Sequence, residues 1–307
     1  MDITDKKVGI PKAFLYFKYH VFWKTLLKEL GFDIVISPET NKEILKRGSS
    51  FAIDESCLSL KVFLGHVDYL IDKVDYVFIP RLVSLKKDEN LCVKFMALGD
   101  IVRNTFQGVN VLEYTVDVNE GKYEIFEILK TFSKFKNPLV VLKAYLKAKK
   151  RQEEYEKIGF KTQEKLFNND KLNILLVSHP YITEDALFGK PITNFLEKEG
   201  VDIIYAEKID KNKYSELYSK ISEDLYWTYN KELLSGIEYY KNKVDGIIFL
   251  MAFPCGPDAL VINLCQCKIK NLPIVVITID DLDGDTGLKT RLESFVDILK
   301  MKKYAKK

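Results

Sequence analysis

One pattern occurs twice in this chain, and it limits the fold more than any other feature. KELGFDIVIS, ending at Ser37, is matched by EKEGVDIIYA, ending at Ala206, and DKVDYVFIPR is matched by NKVDGIIFLMAF. Gly31 precedes Asp75 by 44 residues and Gly200 precedes Asp245 by 45, so similar strand-like runs recur at similar separations. Each run is short, apolar and bounded by glycine, proline or charge, and helical periodicity fills the intervals. That alternation is the βαβ rhythm of a parallel sheet covered by helices. The expected fold is α/β, with two similar Rossmann-like (flavodoxin-like) lobes, a cleft between them and a helical connector. The boundaries are residues 1–120 for the first lobe, 121–169 for the connector and 170–307 for the second lobe.

Along the first lobe the expected order is the strand KVGIP, a helix from Ala13 to Leu30, the strand FDIVIS and a helix at TNKEILKRG. Thr40 with Glu43 three residues later has the form of a capping box at that helix start. A helix after Cys57, the strand VDYVFIP, a helix from about Val93 to Phe106 and the strand VNVLEY complete the lobe. The second lobe repeats the scheme from Lys171, ending on LPIVVITID and the helix TRLESFVDILKMKK.

Lysine plus arginine exceed aspartate plus glutamate by only 47 to 44, and the basic residues read as spread along the chain rather than gathered in one stripe, so a nucleic-acid partner is not implied. No apolar run approaches the roughly 18 residues that cross a bilayer. The N-terminal MDITDKKVGIPKAF places charges on both sides of a short apolar run and has no small-residue cleavage site, as a first strand does. A cytoplasmic location without membrane contact is the expectation. Five cysteines, an odd number in a chain able to bury its own core, point to thiol or metal chemistry rather than a disulfide framework.

Three of these cysteines occupy similar places. Cys57 precedes the apolar helical run LSLKVFLGHV, Cys92 precedes VKFMALGDIV, and Cys255 lies in PCGPD after a long apolar strand. Free N–H groups at a helix start favour thiolate, and soft thiolates suit iron–sulfur clusters and zinc. Around Cys255, Gly256 allows a tight turn and Pro257 suits a first helical position. Cys265 and Cys267 project about 200° apart on one helix and are expected to pack in the core.

SHPYITED, at the end of the second lobe's first strand, supplies His179 and Tyr181. His179 is the candidate catalytic residue, a donor to a ligand held at the strand ends. His66 and His20 are weaker candidates. Asp280, Asp281, Asp283 and Asp285 lack the spacing and terminal glutamate of a calcium loop, and Asp285 or Thr286 is better suited to cap the last helix. Neither common phosphate-binding glycine motif is present.

The fragments GIPKAF, LGFDIVISPETNKEIL, IDESCLSLKVFLGHV, VDYVFIPR, LVSHPY, FPCGPDAL and GDTGLKTRLESF together resemble the acyl-CoA dehydratase activase-related proteins. These form a branch of the 2-hydroxyacyl-CoA dehydratase and benzoyl-CoA reductase superfamily. The resemblance implies that Cys57, Cys92 and Cys255 ligate a 4Fe-4S cluster between the lobes; Ser178, Gly256 and Pro257, from the same strand-end segments, are the candidate cofactor-binding residues. It implies ATP-driven low-potential electron transfer or reduction related to 2-hydroxyacyl-CoA dehydration, by a dehydratase-like lyase or a reductase. The partners implied are a separate ATPase activator with its own cluster, an acyl-CoA or small-molecule substrate, and a homo- or heterodimeric mate. The alternatives are a non-catalytic electron-transfer or maturation partner, or a double-cubane-cluster reductase of small molecules.

Overall fold

The computed structural model describes residues 6–281 and 285–305, without the side chains of residues 285, 286 and 304. Two compact units emerge: Met1–Tyr155 with Tyr226–Thr228, and Glu156–Leu225 with Tyr229–Lys307.

The first unit is built on β1 (Lys7–Ile10), α1 (Tyr16–Glu29), β2 (Asp33–Ile36), α2 (Lys42–Phe51), α3 (Leu58–Leu70) and β3 (Tyr76–Phe78). It continues through β4 (Arg81–Ser84), α4 (Val93–Thr105), β5 (Val111–Leu112), β6 (Thr115–Asp117), α5 (Glu124–Phe132) and the start of α6 (Pro138–Glu164). Four strands make a parallel sheet in the order β2-β1-β3-β5, and β4 pairs with β6 in a separate two-stranded parallel sheet that the sequence pattern did not announce. The connector, expected as two or three helices, contains the short α5 followed by the 27-residue α6.

The second unit contains β7 (Leu172–Val177), α7 (Pro180–Thr183), α8 (Gly189–Lys198), β8 (Val201–Tyr205), α9 (Lys211–Tyr214) and α10 (Thr228–Tyr240). β9 (Gly246–Ala252), α11 (Gly256–Lys268), β10 (Ile274–Ile279) and α12 (Asp285–Tyr304) complete it. Its sheet is parallel, in the order β10-β9-β7-β8. Every residue of β7 is buried, as a central parallel strand covered on both faces requires.

The two sheets repeat the same design, with the first strand flanked by the second on one side and the third on the other. Small details repeat with it. Gly31 and Gly200 both take positive φ, 85° and 77°, directly after α1 and α8, where only glycine escapes the Cβ clash. The Asp75 carboxylate accepts the Lys7 N–H at 2.8 Å while its own N–H donates to the Lys7 carbonyl at 2.9 Å. Asp245 clamps Asn173 in the same way, at 2.8 Å for both bonds. The repeated V-D pairs therefore pin the first strand of each sheet to the third.

The capping-box expectation needs correction. Asn41, not Thr40, caps α2, its side chain accepting the N–H groups of Glu43 and Ile44 at 3.0 Å. Thr40 is buried and bonds the His66 ring instead.

Candidate functional site

In the second unit the chain leaves β7 for β8 on one side, and β9 lies on the other. Adjacent parallel strands whose connections depart in opposite directions leave a crevice beyond their carboxyl ends, the usual ligand site of open α/β sheets. Val177, the last residue of β7, is in register with Phe249 of β9, so the segments that follow these strands emerge side by side. They carry SHPY and FPCGPD.

There His179 Nε2 lies 3.0 Å from Asp258 Oδ1. Asn230, on the first turn of α10, donates from Nδ2 to the same oxygen at 2.9 Å. The Cys255 thiol also hydrogen-bonds the Asp258 side chain. All three members of the His–Asp–Asn cluster are buried, at 6%, 7% and 4% exposure. Burial pushes the Asp258 carboxyl up, but attraction to His179 and the bonds from His179, Asn230 and Cys255 outweigh it and hold the group below its ordinary value. Asp258 stands in the first turn of α11, where the positive helix end also favours the carboxylate.

The Asp258 contact fixes which His179 nitrogen points inward, and the Tyr181 ring stacks on the imidazole at 5.0 Å with 13° between planes. Beside it the buried Ser178 hydroxyl has no hydrogen-bond partner. At the α11 N-terminus Gly256 is exposed, and a Cβ added there would meet nothing within 4 Å. Pro257 occupies the first turn, where a missing N–H costs no helical bond. Sequence reading named Ser178, His179, Cys255, Gly256 and Pro257 but not Asn230, which is 28 residues from Asp258 and carries no local signature. The one available signal was Asp258 itself, a carboxylate placed three residues into a helix that follows a fully apolar strand.

The iron–sulfur expectation is overturned. Cys57, Cys92 and Cys255 do stand at the N-caps of α3, α4 and α11. Yet among the described residues no group of three or more His, Cys, Asp or Glu side chains is gathered so as to hold a metal ion. The physical reason is plainest at Cys255, whose thiol is engaged with the Asp258 carboxylate of its own helix. The reading of the chain as an iron–sulfur protein acting in low-potential electron transfer or reduction is therefore corrected.

The remaining candidates have structural surroundings. His66 is fully buried, its Nδ1 2.8 Å from Ser37 Oγ and its Nε2 3.0 Å from Thr40 Oγ1; burial and the nearby Lys12 push its pKa down to about 3. Ser37 Oγ accepts the Lys12 N–H at 2.7 Å, so the neutral imidazole ties the ends of β1 and β2 to α3. His20 packs between the Tyr16 and Tyr155 rings. Cys265 is buried as expected, but Cys267 is exposed on the opposite side of α11, a correction to the reading that put both in the core. In the acidic run Asp283 lies outside the described residues, as do the side chains of Asp285 and Thr286. No helix among the described residues is long and apolar enough to cross a membrane.

Comparison with known proteins gives a family match. The model of the CoA enzyme activase uncharacterised domain, DUF2229, matches residues 7–209. No curated protein matches the chain. Among solved structures, a zinc-bound variant of AdcAII from Streptococcus pneumoniae is 11% identical, covering 96% of this chain and 97% of that one at a TM-score of 0.30. A manganese-bound variant of a periplasmic metal-binding protein from Candidatus Liberibacter asiaticus is 13% identical, covering 96% and 100% at a TM-score of 0.29. Similarity at that level carries no weight for function. The family model spans most of the chain, from β1 of the first unit to the segment after β8 of the second, and the chain therefore belongs to the CoA enzyme activase-related DUF2229 family.

Proposed function

We propose that this chain is a cytoplasmic companion of an enzyme acting on CoA thioesters, of the 2-hydroxyacyl-CoA dehydratase and benzoyl-CoA reductase kind, working beside a separate ATPase activator. In this reading the crevice after β7 and β9 binds the acyl-thioester end of the ligand. The observation that carries it is the buried His179–Asp258 pair at the switch point of a parallel sheet. Family membership supplies the CoA context.

The chemistry follows from the residues. Asp258 and Asn230 fix the imidazole, so His179 meets a ligand with little conformational freedom left to lose. A thioester carbonyl takes a hydrogen bond from the ring, and the Ser178 hydroxyl, which lacks a partner in the protein, is available to a second oxygen of the ligand. Gly256 leaves room for the chain of the thioester beside the α11 N-terminus.

Calorimetric titration with a 2-hydroxyacyl-CoA thioester, free CoA and the free acid tests the reading. The thioester is expected to bind more tightly than either fragment, and His179→Ala to weaken it about tenfold, the usual value of one hydrogen bond to a polarised group. Equal affinity for thioester and free CoA, or binding indifferent to His179, would remove the crevice from the proposal. Absence of a complex with any dehydratase-type ATPase activator in gel filtration would remove the partner.

A further inference from the structure

The reading of basic residues as spread along the chain needs correction in one stretch. From Lys130 to Arg151 there are eight lysines and arginines and no aspartate or glutamate, although the whole chain holds 47 basic against 44 acidic residues. This stretch covers the end of α5 and the first half of α6, all within the first unit.

Helix α6 turns one face inward, with Val141, Ala144, Tyr145, Ala148 and Gln152 buried. The opposite face carries Leu139, Lys143, Leu146 and Lys150 at spacings of four, three and four residues, which align along one helical ridge. Leu139 is 69% and Leu146 55% exposed, and both lysines are exposed. Lys150 reaches Glu154 only at 4.0 Å, whereas the neighbouring Lys147 is held by Glu29 at 2.7 Å. The ridge is thus about 17 Å of alternating leucine and lysine.

We propose that this ridge docks an acidic protein partner, one presenting carboxylates around a small apolar hollow that receives Leu139 and Leu146. Charge decides the sign of the occupant: Lys130, Lys147 and Lys150 meet the carboxylates of Glu127, Glu29 and Glu154, but the eight basic residues leave the stretch net positive, which attracts carboxylates and repels a second basic surface. The leucines decide its class. Apolar side chains between the cations are wasted on a phosphate backbone, which is bound through charge and hydrogen bonds. A bilayer-bound helix buries a broad apolar face, and here that face is turned into the protein, leaving two leucines. Exposed apolar groups rimmed by charge are a common mark of protein contact. The surface is argued from the first unit alone and does not depend on the thioester reading.

The test uses the full chain and three probes: a fluorescently labelled helical peptide with leucines flanked by glutamates, vesicles of phosphatidylcholine and phosphatidylserine, and duplex DNA. Anisotropy is expected to show peptide binding that weakens with salt. Lys143→Glu with Lys150→Glu should slow association and flatten the salt dependence, while Leu139→Ala with Leu146→Ala should speed dissociation, each pair costing roughly tenfold in affinity or more. Both pairs are on the surface, and circular dichroism verifies their fold. Failure of the peptide to bind, insensitivity to either pair, or tighter binding to vesicles or DNA than to peptide would overturn the proposal.

Discussion

His66 makes a quantitative test of the first unit's polar core. Its pKa in the folded chain is about 3 against an ordinary 6.5, because the ring is fully buried and Lys12 stands nearby. The folded value lies below the unfolded one, so between them the unfolded chain binds a proton that the native chain refuses. Stability from this group is fully present above 6.5 and is lost as the pH falls toward 3. Between about pH 7.5 and about pH 5 the loss from a single such histidine is about 2 kcal/mol, at about 1.4 kcal/mol per pH unit below 6.5. Urea unfolding across that range, where most carboxylates remain ionised, measures it directly. His66→Gln keeps a polar side chain between Ser37 and Thr40 but removes the proton site. The variant is expected to be less stable at neutral pH and to lose about 2 kcal/mol less than the parent on acidification. His20, whose pKa is also lowered by burial, contributes equally to both proteins and cancels in the difference. Identical pH slopes for parent and variant would refute the assignment of a buried neutral imidazole.

Three further outcomes are expected. Gly48 and Gly65 let α2 and α3 cross with backbones in contact, since a Cβ at Gly48 would strike the Lys61 carbonyl and one at Gly65 the Ile44 carbonyl. Alanine at either position should therefore lower stability by about 1–3 kcal/mol although helix propensity alone favours it, and a raised melting temperature would contradict this packing. His179→Ala should destabilise the chain by about 1.5–3 kcal/mol by stripping a partner from a buried carboxylate. Asp258→Asn combined with it should cost less than the sum of the two single changes, and strict additivity in the double-mutant cycle would show that the two side chains do not interact. Cys267 should react with a thiol reagent in the folded protein, whereas Cys265, buried and with its thiol pushed up to about 12, should react only on unfolding; equal rates in the native state would count against the orientation of α11.

The sequence by itself determined the α/β class, the repeat and the positions of most strands, because those depend on local periodicity and on glycines such as Gly31 and Gly200 that take left-handed backbone readily at helix ends. It also placed Cys57, Cys92 and Cys255 at helix starts, since the onset of an apolar helical run is a local pattern. What those thiols do was not local. Whether side chains at positions 57, 92 and 255 gather round an ion depends on how segments far apart in the chain are brought together, and the described residues form no such group. The same limit hid Asn230, whose bond to Asp258 joins α10 to α11, and moved the α2 cap from Thr40 to Asn41, because the buried imidazole of His66 claimed the threonine hydroxyl. Periodicity is written in neighbours along the chain, but hydrogen-bond partners of buried polar groups are chosen by distance in space, and only the tertiary structure sets those distances.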